Sequence, residues 1–270
     1  MDREKHSVNE LQKGKNRMTG IYFSGTGNSR YAVEVFLQEY DKAAKAYSLE
    51  DAAVVEYIKA TDKLVFAYSV QYSNLPKMVK DFIDNNPNLW QGKKVFIIAT
   101  MGLFSGDGAG TLGRRLQKYG AQVIGGLHLK MPDSIADVAA LKRSPEKNKK
   151  LVQLAEQKIH KAVRDIKDGK PSQEGIGFWY RMAGLFGQRI YFYHKTRNYS
   201  DRLTVDSSKC IGCGKCADSC PMKNLRIEEG RAVAEERCTM CYRCINICSK
   251  QAITLIGKKV IEQGTIEKYL

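Results

Sequence analysis

Short apolar runs alternate with amphipathic stretches along the first two-thirds of the chain. Residues 20–24 (GIYFS) make the first run, which ends in a polar, glycine-rich turn. Tyr31, Val35 and Phe36 then recur at a spacing near four, which predicts a helix. Further strand-like runs fall at 44–48, 63–69, 93–100 and 121–129, and helical patterns at 75–86, 109–119 and 146–168. Near-continuous apolar strands separated by amphipathic helices predict a buried parallel sheet with helices on both faces. Five strands suit the doubly wound order 2-1-3-4-5, whose ligands gather at the carboxyl ends of the strands.

The last third carries a different pattern. Cys210, Cys213, Cys216 and Cys220 read C-x2-C-x2-C-x3-C and precede Pro221. Cys238, Cys241, Cys244 and Cys248 repeat that spacing and precede Ser249. These eight are all the cysteines of the chain. A run of about 20 apolar residues is absent, as is the apolar core of a secretory signal, so the expected location is cytoplasmic. Disulfides are not expected there. Zinc sites use one close pair and a second pair or histidines further on. Three thiolates two residues apart, with a fourth soon after, suit an iron–sulfur cubane. In the bacterial arrangement the fourth cysteine of each run serves the other cluster. One 4Fe-4S cluster is thus assigned Cys210, Cys213, Cys216 and Cys248, and the other Cys238, Cys241, Cys244 and Cys220. Val205 aligns with Val233, Leu225 with Ile253 and Ile227 with Leu255, an internal repeat with an offset of 28. Each half reads as strand, cluster loop, helical turn and strand. The two halves resemble the bacterial 2(4Fe-4S) ferredoxin over about residues 202–257. Ser249 departs from the proline usual in that family.

Three loops of the first part are candidates for cofactor binding. In Ser24-Gly25-Thr26-Gly27-Asn28-Ser29, successive backbone N–H groups at a helix N-terminus form a nest for a phosphate. The loop lacks the G-K-[ST] of an ATP-type P-loop and the G-x-G-x-x-G of a dinucleotide site. Its hydroxyls and its want of lysine resemble the FMN phosphate loop of flavodoxins. Val70-Gln71-Tyr72-Ser73-Asn74 offers a tyrosine to stack on a ring. Thr100-Met101-Gly102-Leu103-Phe104-Ser105-Gly106-Asp107-Gly108 offers glycines for backbone contact with a flat heterocycle, and Phe104.

Together these motifs resemble the fused flavodoxin–ferredoxin proteins of anaerobic bacteria and archaea over roughly residues 18–257. The resemblance implies an α/β flavodoxin-like domain at 18–170 that binds FMN and a small α+β two-cluster ferredoxin domain at 202–257. It implies electron transfer and leaves the substrate unspecified. The expected function is to shuttle electrons between FMN, the two clusters and an external redox partner. The alternative is a ferredoxin-fed, FMN-dependent reductase of a small organic acceptor. Tyr72, Asp107 and His128 are the candidate proton-transfer groups for it. Residues 1–17 read as a flexible extension, and 258–270 give no assignable pattern.

Charge adds one point. The formal net charge is +15, and residues 141–200 hold 14 basic and 5 acidic side chains, a net of +9. This field favours an acidic redox protein as partner. No nucleic-acid-binding pattern is present. Within 171–201, Trp179, Ala183, Phe186, Ile190 and Tyr193 make an apolar stripe opposite Arg181, Gln188 and Lys195, which predicts an amphipathic connector helix. The stripe is expected to pack on the protein, with docking to a membrane surface as the alternative.

Overall fold

The computed structural model describes residues 17–185 and 202–270. β1 (Met18–Phe23), β2 (Ala46–Ser48), β3 (Lys63–Ser69), β4 (Lys94–Met101) and β5 (Gln122–Lys130) form a parallel sheet in the order β2-β1-β3-β4-β5. This is the order the apolar runs predict. Side chains alternate across the strands. Leu64, Phe66 and Tyr68 of β3 join Val95, Ile97 and Ala99 of β4 on one face, while Val65, Ala67, Phe96 and Ile98 point to the other. The first face is covered by α2 (Val54–Lys59), α3 (Lys77–Asn85) and α4 (Gly108–Gln117). The second is covered by α1 (Asn28–Tyr40), α5 (Pro145–Lys167) and a 3-10 turn at Ile266–Tyr269. α5 starts where Ser144 Oγ accepts the Lys147 N–H at 3.4 Å and Pro145 holds the first helical position. The register pairs Phe23 with Tyr68, Ser69 with Thr100 and Met101 with Lys130, so the strands end at one common edge.

The cysteine-rich half contains β6 (Thr204–Val205), α7 (Lys215–Asp218), β7 (Leu225–Glu228), β8 (Arg231–Ala234), α8 (Arg243–Ile247) and β9 (Ile253–Thr254). β6 pairs antiparallel with β9, and β7 with β8. The predicted strand–loop–helix–strand unit therefore occurs twice. Leu203, Leu225, Ile245, Ile253 and Leu255 form its core around Cys210, Cys216 and Cys244. Ala136, from the segment after β5, sits fully buried in that same core.

Only the first part of the expected connector lies among the described residues. α6 covers Phe178–Gly184, and Phe186, Gln188, Ile190, Tyr193 and Lys195 fall outside the described residues. Trp179 is 81% exposed, so it does not pack inward as the stripe suggested. Close approach occurs at a small residue instead. A Cβ built on Gly184 would lie 2.1 Å from Asp107 Oδ1. Among the described residues no helix is long and apolar enough to cross a membrane.

Candidate cofactor sites at the domain joint

The eight cysteines are free and surround two cavities. Cys210, Cys213, Cys216 and Cys248 line one, together with Ser249; Cys220, Cys238, Cys241 and Cys244 line the other, together with Pro221. Each cavity thus draws three sulfurs from one run and the fourth from the other. Among the described residues no three His, Cys, Asp or Glu side chains are disposed to hold a single metal ion. Backbone N–H groups point at the sulfurs: Ala232 donates to Cys210 Sγ at 3.3 Å, Asn224 to Cys220 Sγ at 3.2 Å and Met240 to Cys238 Sγ at 3.2 Å. Burial pushes the Cys238 thiol up to about 12 and the Cys241 thiol to about 11. Bare thiolates are disfavoured in such places, and cationic iron is the group that would offset their charge. The donor set therefore fits two cubanes.

A third cavity, of about 200 Å³, opens at the carboxyl edge of the sheet. The predicted residues Asn28, Val70, Gln71, Tyr72, Ser73, Thr100, Met101, Gly102 and Phe104 line it. Tyr72 and Ser73 are both left-handed, with φ of 49° and 59°, and Gln71 and Asn74 exchange backbone hydrogen bonds at 3.1 and 2.9 Å. Two left-handed central residues characterise a type I′ turn. A Cβ on Gly102 would lie 2.1 Å from Asp133 Oδ2, so that glycine makes room for a carboxyl group the sequence did not single out. Burial raises the Asp133 pKa, and Asp133 lines the cavity. Ser134, Ile135, Met240 and Tyr242 also line it and were not foreseen. They carry no local motif, and chain folding alone brings them here.

Other predicted residues lie elsewhere. Gly106, Asp107 and Gly108 do not line the cavity. Asp107 is fully buried and ion-paired with Arg114 at 2.5 Å. Gly106 abuts Gly184, and Gly108 abuts Ser105 and Val70. Of the SGTGNS loop only Asn28 reaches the cavity wall. The rest is roofed by later parts of the chain. Ser24 O accepts from Arg243 Nη2 at 2.8 Å, and Thr26 O accepts from the Ile266 N–H at 2.9 Å. A Cβ on Gly25 would lie 1.9 Å from Cys241 O, and one on Gly27 would lie 2.4 Å from Ile266 Cγ2. Ser29 Oγ shares a hydrogen bond with Thr100 Oγ1 at 2.9 Å. His128, a candidate proton-transfer group by sequence, accepts the Ala109 N–H on Nε2 at 3.2 Å, and burial holds its pKa down at about 4.

The residues present fit FMN. Ser24 Oγ, Asn28 Oδ1 and Gln71 Oε1 are buried without a protein partner. The two amide oxygens suit donors such as ribityl hydroxyls or a flavin imide N–H, and the serine hydroxyl suits a phosphate oxygen. The N–H groups of the first turn of α1 have no intrahelical acceptors. Such a helix start is chemically suited to an anion.

The family models agree with this layout. Residues 21–163 match the family model for a flavodoxin domain, and residues 202–249 match that for a 4Fe-4S dicluster domain. A ferredoxin of Methanothermococcus thermolithotrophicus is 37% identical over 57 residues, which are 20% of this chain and 95% of that protein. A component of an ion-translocating oxidoreductase complex of Methanosarcina acetivorans is 45% identical over 47 residues, 17% of this chain and 18% of that one. The solution structure of two-electron reduced Megasphaera elsdenii flavodoxin is 24% identical, with a TM-score of 0.38 over 52% of this chain and 99% of that one. The flavodoxin match alone spans just over half of the chain. The chain belongs to the flavodoxin family, with a 4Fe-4S dicluster ferredoxin domain fused to it, and its cofactors are FMN and two 4Fe-4S clusters.

Proposed function

We propose that the chain is an electron-transfer flavo-iron-sulfur protein, which passes electrons between FMN, the two clusters and an external redox partner. One observation carries this reading: the cavity at the flavodoxin edge shares its wall with the second cysteine loop, through Met240 and Tyr242. Gln71 Nε2 also donates to Met240 O at 3.1 Å across the joint. In this reading Cys210, Cys213, Cys216 and Cys248 hold one cluster, and Cys220, Cys238, Cys241 and Cys244 hold the other. Ser24 and the α1 N-terminus take the phosphate, Asn28 and Gln71 the ribityl chain or ring, and Tyr72 and Phe104 flank the ring. FMN supplies the conversion between two-electron and one-electron chemistry. The protein supplies position, burial and hydrogen bonds to sulfur.

The partner is an acidic redox protein. Lys147, Lys149, Lys150, Lys158, Lys161 and Lys167 are exposed along α5, and this field steers a negative surface. Reduction of the partner should then slow as salt rises. A second reading, a reductase of a small organic acceptor, draws on Asp133, a half-buried carboxyl lining the cavity whose raised pKa suits a proton donor. Anaerobic loading tests both. About eight irons, eight sulfides and one flavin per chain are expected for two cubanes and FMN. Rapid mixing should then show clusters and flavin reduced in sequence. Reduced clusters that never reduce bound flavin would refute the shuttle, and reduction of small acceptors that stops in Asp133→Asn would favour the reductase.

A further inference from the structure

We infer that the cluster of Cys220, Cys238, Cys241 and Cys244 is the flavin-facing one, that Met240 and Tyr242 couple it to the flavin cavity, and that the cluster of Cys210, Cys213, Cys216 and Cys248 is the outward terminus. This rests on the proposed reading of the joint cavity as the flavin site.

The internal repeat gives the first argument. At the offset of 28, Gly212 and Gly214 of the first loop correspond to Met240 and Tyr242 of the second. All four are left-handed, with φ of 64° and 78° in the first loop and 56° and 62° in the second. The two loops therefore follow the same path, and that path suits glycine. The first loop has glycine at both positions. The second carries two large side chains there against their backbone preference. Such residues persist where the surroundings demand the side chain.

What those side chains reach is the second argument. Both line the flavin cavity, and Tyr242 also lines the cavity of the Cys220, Cys238, Cys241 and Cys244 set. Tyr242 is 3% exposed. The Tyr242 hydroxyl donates to Asp137 Oδ1 at 3.1 Å, while Asp137 Oδ2 accepts from the Leu255 and Ile256 N–H groups at 2.7 and 2.9 Å. The ring is thus pinned between the two cavities. Cys241 O lies against Gly25, and Arg243 reaches Ser24 O from the same loop.

The first loop faces away. None of residues 210–216 lines the flavin cavity. Gly212 abuts Gly230 O of the β7–β8 turn. Cys213 is exposed, with Ile211 and Ile227 beside the same cavity at 57% and 40% exposure. The electron count closes within the chain. A flavin held as the anionic hydroquinone would give up two electrons and its N5 proton, and the two clusters would take one electron each. The reverse flow takes up the same proton and electrons.

The test uses protein loaded anaerobically with iron, sulfide and FMN. Flash reduction of the flavin starts the transfer, and bleaching of the thiolate–iron band follows it. Cys220→Ala, which strikes the inner cluster from outside the flavin joint, should slow transfer by about tenfold or more, whereas Cys213→Ala should still pass electrons from flavin to the remaining cluster. The reverse pattern overturns the inference and leaves the shuttle standing. Wild-type protein that binds no FMN removes the shuttle and the inference together. The double variant Met240→Gly/Tyr242→Gly restores the first loop's sequence logic. In molecules of that variant that hold both clusters and FMN, by iron count and flavin absorbance, transfer should fall by about tenfold. Undiminished transfer in that variant, with full iron, would show that the two side chains do not couple the sites.

Discussion

Gly25 sets how closely the two halves approach. An added Cβ would lie 1.9 Å from Cys241 O and 2.9 Å from Cys241 C, and backbone atoms cannot swing aside as a side-chain tip can. Gly25→Ala must therefore push the cluster loop off the phosphate loop. FMN should bind about tenfold more weakly, about 1.4 kcal/mol. Flavin fluorescence during titration of flavin-free protein measures this, and an unaltered Kd would rule out the tight joint. His128 makes a different prediction at the same scale. Burial lowers its pKa to about 4, while the unfolded chain titrates near 6.5. The folded protein holds the neutral ring, so this contribution is fully present above about pH 6.5 and is lost as pH falls towards about 4. The loss is at most roughly 3 kcal/mol. Urea midpoints should drop between about pH 7 and pH 5. His128→Gln, which keeps an acceptor for the Ala109 N–H, should flatten that drop. An identical slope in the variant would place the titration elsewhere.

Among the elements, the 3-10 turn at Ile266–Tyr269 does more than end the chain. Ile266 and Tyr269 are buried in the core between the sheet and α1 and α5. Ile266 also closes over Gly27, and Glu267 pairs with Arg30 of α1. Deleting residues 265–270 should cost the flavodoxin half about 3 kcal/mol or more from two lost apolar side chains. The urea midpoint should fall and FMN should dissociate faster; loss of neither would mean the turn is passive. This element was illegible in the sequence because its partners, Thr26 and the α1–α5 groove, are remote along the chain. β3 and β4 were legible because five or more consecutive residues of each are buried on both faces, which writes an unbroken apolar run. α2 was missed: it has six residues and only Val54 and Ile58 buried, too few to establish a period. The cysteine ladder was plain because cubane geometry constrains local spacing. Gly106 meets Gly184 of α6 and Gly108 meets Ser105, Val70 and Ala99, and a glycine-rich loop looks alike in sequence whether it meets a ligand or the protein itself.

At the scale of the whole molecule, the two halves differ in what holds them. The flavodoxin sheet has apolar cores on both faces, built largely from its own helices. The ferredoxin half has two two-stranded sheets and a core in which cysteines take central places. A domain that small seldom folds on apolar burial alone. Its folding is therefore expected to depend on its clusters. The joint depends on it in turn: Arg243 forms two hydrogen bonds with Glu50, at 2.5 and 2.7 Å, and Tyr242 holds Asp137. Oxidative removal of iron with a chelator should thus unfold residues 202–257 and strip Met240 and Tyr242 from the flavin cavity, while the parallel sheet survives. Limited proteolysis should cut first within 202–257 and leave a fragment of flavodoxin size. The same sample should release FMN, because the cavity has lost one wall and the phosphate loop part of its roof. Retention of FMN at undiminished affinity after iron removal would show that the flavodoxin half completes its site alone, and that the joint serves electron flow without serving cofactor binding.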